Sequence, residues 1–246
     1  MLNNKMYRAA AVNQPTFLPW AGYFELLAKA DVFIILDNVQ FSKPSWQNRN
    51  RINSARGPTF ISLPVRRNNL TDKLNEVIVL KDPCFFRIMN KIESSYRRFP
   101  YYKDLQEIVI EPLMEYYHSQ AEETLADLNI LLLKNLVDYL GFNCALDRAS
   151  KYPDSNDKIQ RLISLCTQNV CTTYMSPKGA GTYLRENKLQ FEKNRIKVKL
   201  QNYCPAKYET PCFDYASHLS IIDIIAAHGR DSYVIIQNGF RDFESL

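Results

Sequence analysis

Two short apolar runs, RAAAV at 8–12 and VFIIL at 32–36, stand on either side of a segment in which Phe24, Leu26 and Leu27 recur on a helical period. Runs apolar on both faces belong inside a covered sheet, and a helix between two of them makes a βαβ unit. Its crossover is right-handed almost without exception, so the two strands are parallel and end on the same edge. That edge carries Gln14 and Asp37. Ligands of open α/β sheets lie beyond the carboxyl ends of the strands, where the loop FLPW and the segment DNVQF are both expected.

The rest of the chain continues the alternation. Residues 59–65 read as a strand, 84–99 as a helix ended by Pro100, and 112–140 as a long helix. Leu125, Leu128, Leu132, Leu136 and Leu140 give that helix a core-facing stripe, and Gly141 follows its end. Strands are expected at 144–148, 170–175, 196–200 and 233–236, with helices at 157–167 and 218–228. The turn in SPKGAGTYL opens a further helix at about Gly181; it is neither a Walker loop nor a dinucleotide fingerprint. The predicted fold is α/β, with mostly parallel sheets, flanking helices and a long central helix. Two parts, 1–141 and 142–246, are expected, with one compact domain as the alternative.

At 46% apolar and 23% charged, the 246 residues have the balance of a globular protein and not of a disordered or fibrous one. A chain of this length buries roughly three quarters of its unfolded surface and needs no disulfide or metal to hold a core. The six cysteines include no Cys-x-x-Cys pair, so buried reduced thiols are expected. No apolar stretch reaches the ~18 residues of a membrane span, and the start MLNNKMYRAAAV has no leader core. A cytoplasmic protein without membrane insertion is the expectation.

The net charge of +5 is concentrated. Residues 38–70 hold no aspartate or glutamate but carry Lys43, Arg49, Arg51, Arg56, Arg66 and Arg67, which leaves the remainder slightly acidic. A cluster of this kind attracts anions such as phosphates. A solvated basic loop is the plainer reading, but Phe41, Trp46, Gln47, Asn48 and Asn50 among the charges favour a docking surface.

Two prolines stiffen the FLPW loop, Gly22 lets the next helix start close to a ligand or strand, and Trp20 and Tyr23 supply flat surfaces. Asp37 is either a turn cap or a site residue. Its place beside the basic aromatic segment favours a general base that takes a proton from an amine or hydroxyl. Arg49 and Arg51 suit bidentate binding of phosphate or carboxylate oxygens. His118, His218 and His228 lack metal-ligand spacing, Ser176 sits in no nucleophile elbow, and Cys166 lies on an apolar helical stripe. Neither a metal nor a cofactor is expected.

The pattern QPTFLPWAGYF, then ADVFIILDNVQFSKPSWQNRNRI, then G-x-x-x-ISLPV, resembles the opening of the WbqC-like protein family. SNDKIQRLISLC, TTYMSPKGAGTYL and HLSIIDIIAAHG resemble its later segments, so the likeness spans most of the chain. Members are often found with surface-polysaccharide biosynthesis functions, and some are linked to adding a glycyl or other acyl group to an amino sugar. The resemblance implies a pocket with Gln14, Trp20 and Tyr23 as one wall, Asp37 and Gln40 as floor, and Trp46, Asn48, Arg49 and Arg51 as an anion-binding arm. It also implies that Asp157, Lys158, Tyr174, Ser176, Gly179, Tyr183 and Asp223 complete the site. Duller roles exist for several: Asp157 as a helix cap, Tyr183 in packing, Asp223 paired with its surroundings.

Three functions follow. The first is acyl or aminoacyl transfer to an amine or hydroxyl of a small phosphate-bearing sugar or nucleotide sugar. The second is nucleic-acid binding or a modified-base transferase, motivated by the same basic aromatic segment. The third is a non-catalytic sugar-binding or scaffold protein.

Overall fold

A computed structural model describes residues 8–43, 45–120 and 122–246 of the chain. The start read above for a leader lies outside these as far as residue 7. The expected βαβ unit is present as β1 (Ala9–Asn13), α1 (Ala21–Lys29) and β2 (Val32–Ile35). Its strands are parallel, with Asn13 beside Ile35. The basic segment forms an antiparallel hairpin, β3 (Arg49–Ile52) and β4 (Thr59–Ser62), then a smaller pair, β5 (Val65–Arg66) and β6 (Ile78–Val79). The single strand expected at 59–65 is therefore split, with Pro64, which has no N–H for a ladder, at the break.

Next comes α2 (Pro83–Tyr96), capped by the Asp82 carboxylate, which accepts from the N–H groups of Cys84 and Phe85. The helical run α3 (Tyr102–Leu105) and α4 (Glu111–His118) is continuous through a π-helical stretch, Gln106–Ile110. Pro112 explains the widened turn: it has no N–H to give the Ile108 carbonyl and its ring would crowd that group. Asn135 Nδ2 donates to the Ile108 oxygen instead (3.3 Å). The long helix expected over 112–140 is thus two helices, and only α5 (Leu125–Leu140) carries the leucine stripe. Lys81 Nζ bonds the Ser119 oxygen (2.6 Å) where α4 ends, and Thr124 caps α5 by accepting from the Asp127 N–H (3.2 Å). The pair Thr124 and Asp127 is a capping box, a start signal inside what the leucine period reads as one run.

The second half supplies β7 (Ala145–Arg148), α6 (Lys158–Gln168), β8 (Thr173–Ser176), α7 (Gly181–Glu186), α8 (Lys188–Lys193) and β9 (Lys197–Tyr203). It closes with α9 (Ile221–His228), α10 (Ser232–Asn238) and β10 (Phe240–Ser245). The strand expected at 233–236 is instead part of α10, where Ser232 and Ile236, four apart, are buried while Tyr233 and Val234 face out. Four apolar residues cannot by themselves separate a strand from a helix turn.

One six-stranded sheet, in the order β10-β9-β8-β1-β2-β7, takes strands from both sides of residue 141, with β7 pairing β2. All its pairs are parallel except β9 with β10. Along β1, Ala11 packs with α1, α5 and α9, while Ala10 and Val12 pack with α6, α7 and α8, the alternation a strand imposes. From β1 the chain crosses by α1 to β2 on one side; from β8 it crosses by α7 and α8 to β9 on the other. The carboxyl ends of β1 and β8 therefore flank the point where the strand order reverses, the crevice in which such sheets hold ligands.

Candidate functional site

The chain leaving β1 toward that crevice is fixed by donors from distant segments. The Gln14 carbonyl accepts from Tyr23 Oη (3.1 Å), Pro15 from Asn129 Nδ2 (3.2 Å), and Phe17 and Leu18 both from Asn50 Nδ2 (3.0 and 2.8 Å). Ser220 Oγ also donates to Leu18 O (2.7 Å), and the Ile221 N–H donates to Pro19 O (2.8 Å). These bonds hold Leu18 at φ +44°, a backbone region that costs a branched residue of order 1 kcal/mol or more. The asparagines that look ligand-binding in the sequence thus include one, Asn50, whose amide is largely spent on the loop. Trp20 follows, its ring over Gly22, where a Cβ would come within 2.4 Å.

Beyond the loop opens a cavity of about 690 Å³. Asn13, Gln14, Gln47 and Asn50 bring amides to it, Tyr23, Trp20 and Trp46 bring rings, and Arg51 and His218 bring the groups able to carry charge. Gln47 Nε2 donates to Gln14 Oε1 (2.5 Å), which leaves the Gln14 amide N–H groups to donate elsewhere. Burial pushes the Tyr23 phenol far up, so it stays a neutral donor to the Gln14 carbonyl. Arg51 has neither an acidic nor a hydrogen-bonding partner for its guanidinium among the described residues. A fork of five donors left open on a cavity wall is suited to phosphate or carboxylate oxygens.

His218 is a cavity residue that spacing arguments miss. The helix expected from 218 begins at Ile221, with Ser220 as its cap, so the histidine precedes it. It adopts φ +58°, and its ring stacks on Trp20 with centroids 5.0 Å apart. Its ring nitrogens have no partner among the described residues. A strained non-glycine residue ahead of a helix cap is invisible to a metal-spacing test, and no other signal in the sequence marks it.

Asp37 departs most from expectation. Its carboxylate is fully buried and accepts from Arg148 Nε (2.6 Å), the Ser150 N–H (2.9 Å) and Ser150 Oγ (2.6 Å). It does not line the cavity that holds Arg51, nor does Arg49. A general base needs an unengaged lone pair in reach of substrate; this one is committed to joining the ends of β2 and β7. Arg148 NH1 reaches on to Asp127 Oδ1 (2.7 Å). Burial alone would raise the Asp127 carboxyl, yet hydrogen bonds from Thr124 and Arg148 hold it below the usual carboxylate range.

The anticipated arm divides. Trp46 and Arg51 line the cavity, whereas Asn48 Nδ2 donates to Leu63 O (3.1 Å). Gln40, expected in the floor, is at the surface instead, its Nε2 donating to Leu70 O (3.0 Å). Arg49 lies over the Phe60 ring at 4.7 Å, and Phe60 leans on Trp46 at 6.1 Å. Trp46 and Phe60 are 51% and 43% exposed, so an aromatic ledge with a guanidinium against it continues the cavity rim outward.

Of the later residues, Asp157, Lys158 and Tyr183 line a second cavity of about 730 Å³, which shares Gln14 with the first. Asp157 also caps α6, Oδ1 accepting from the N–H groups of Ile159 (2.7 Å) and Gln160 (2.9 Å). Tyr174 and Ser176 are buried, joined at 3.3 Å, with Tyr174 stacked on Phe191. Gly179 is an exposed turn residue with open space where a Cβ would go, and it lines neither cavity. Asp223 is fully buried between Tyr96 Oη (2.8 Å) and Tyr208 Oη (2.7 Å), and burial raises its carboxyl despite those bonds. It anchors α9 below Ser220 and reaches neither cavity.

Among the described residues no helix is long and apolar enough to cross a membrane. No solved structure matches the chain. A protein of Mycobacterium tuberculosis (strain ATCC 25618 / H37Rv), described as "Uncharacterized protein Rv1507c", is 28% identical over 227 residues, covering 92% of this chain and 96% of its own length. The model of the WbqC-like protein family matches residues 14–235, which takes in the second cavity, all of the first but Asn13, the loop after β1 and the arginine hairpin. On that match the chain belongs to the WbqC-like protein family.

Proposed function

We propose that this protein is a group transferase that moves an acyl or aminoacyl group onto an amine or hydroxyl of a phosphate-bearing sugar or nucleotide sugar. The observation that carries the reading is the unpaired Arg51 guanidinium on the wall of a large cavity at the sheet's switch point. Arg51 grips the phosphate, Gln14 donates to the substrate, and Trp20 and Trp46 bracket its flat or apolar parts. The attacking nitrogen or oxygen forms a bond to the acyl carbon as the bond to the leaving group of an activated acyl donor breaks. The proton it sheds passes to a His218 ring nitrogen, which has no other partner among the described residues. Asp37 acts as a positioning residue, through Arg148 and Ser150. Surface-polysaccharide assembly, the setting that family resemblance implies, consumes substrates of this class.

The test is isothermal titration of inorganic phosphate and of UDP-N-acetylglucosamine into the wild-type protein and Arg51→Ala. A lost charge-assisted contact predicts affinity weaker by about tenfold or more. Equal affinities would remove Arg51 from the reading.

One observation favours a second reading. The exposed Trp46 and Phe60 rings with Arg49 against them resemble a stacking platform for single-stranded nucleic acid, which would make the acceptor a base. Salt-sensitive retention of short oligonucleotides that is lost in Trp46→Ala would favour it over a small sugar substrate.

A further inference from the structure

Gln14 is a partition as well as a wall. It lines both cavities, its Oε1 is taken by Gln47, and its amide N–H groups remain free to donate to a ligand on either side. The second cavity differs in character from the first. Its charges cancel: Arg161 is engaged by Asp154 (2.7 Å) and the Ser155 carbonyl (2.6 Å), which leaves Lys158 against Asp157. Lys158 and the Asn156 amide have no partner among the described residues, and Asp157 Oδ2 is unused by the cap.

Leu36, Val39, Ile159 and Leu162 add apolar surface to the same lining. The Tyr183 ring, 37% exposed, lines the cavity as well. Hydroxyl groups both donate and accept, and an amide, a carboxylate and an ammonium together answer them without selecting a net charge. An aromatic face takes the C–H side of a ring. We infer that the second cavity is a separate subsite for an uncharged, hydroxyl-rich ring, the chemistry shared by a free sugar and the ribosyl part of a nucleoside. Its occupant meets the ligand of the first cavity at Gln14. The inference rests on the two-substrate transferase reading above, because transfer brings two molecules to one point.

Saturation-transfer NMR on the full chain, with glucose and with uridine as separate probes, tests it, and ³¹P line broadening of inorganic phosphate reports the first cavity. At least one of the two ring probes receives saturation, and which one identifies the source. Tyr183→Ala lowers that signal about fivefold through lost stacking, Tyr183→Phe retains it, and Arg51→Ala leaves it unchanged. Phosphate broadening shows the reverse dependence, and Gln14→Leu weakens both. If Tyr183→Ala fails to fold, Lys158→Met replaces it with the same expected loss. No saturation of either probe, or a signal indifferent to Tyr183→Ala or its replacement, overturns the second subsite. Loss of the phosphate response alone overturns the anion site and leaves the second subsite standing.

Discussion

A single carboxylate shows how partners decide what a residue does. Asp37 follows an apolar strand and precedes a basic segment, which in the sequence is the profile of a site residue; in the fold, Arg148 and Ser150, more than a hundred residues later, take its oxygens. Asp37→Asn weakens charge-assisted bonds from Arg148, which keeps Asp127, and from Ser150. The expected cost is about 2 kcal/mol of stability, read as a fall in melting temperature, with phosphate affinity of the folded protein unchanged. A loss of affinity at full stability would return Asp37 to the reaction. A still longer separation in sequence hides His218, whose significance lies in a ring stacked on Trp20. Arg51 was readable early because charge clustering is local; that Arg49 lies over Phe60 and outside the cavity was not, since the fold decides which of two neighbouring arginines meets a void.

The loop after β1 is the element on which the site depends. It has little regular structure of its own, and its carbonyls are held by Tyr23, Asn50, Asn129 and Ser220. Asn50→Ala strips both Phe17 and Leu18 of a donor, and the expected loss is about 2 kcal/mol. Faster hydrogen exchange across 14–20 should accompany it; exchange unchanged there would mean that the loop is held by packing alone. The two prolines announce a stiff loop, but its clamps come from four other elements, α1, β3, α5 and the start of α9. Elsewhere, elements with their own signals were readable: α1 between two apolar runs, α2 ahead of Pro100, and α5 ending at Gly141. The elements misread were those set by context. The widened turn before Pro112 depends on Asn135, and α10 depends on which side of four apolar residues meets the core.

For the whole molecule, the reversal of strand order between β1 and β8 gathers residues 13, 51, 177 and 218 around one space. The fold also contains a pH sensor of stability. Glu25 of α1 is fully buried, with Oε2 accepting from Gln201 of β9 and Oε1 without a partner. Burial raises its carboxyl, against smaller opposing effects of Gln201 and Lys29. An acid whose folded pKa lies above the unfolded value of ~4.3 contributes no penalty below that value; the penalty grows as pH rises toward the folded pKa and persists above it. Glu25→Gln is therefore expected to melt higher relative to wild type at pH 7 than at pH 4, and a difference independent of pH would contradict the assignment.

The most direct test of the site is a crystal structure of the full chain grown with UDP-N-acetylglucosamine. The account predicts diphosphate oxygens within hydrogen-bonding distance of the Arg51 guanidinium, in the space bounded by Gln14, Trp20 and His218. Diphosphate bound at another surface, with the Arg51 cavity unoccupied, would contradict it.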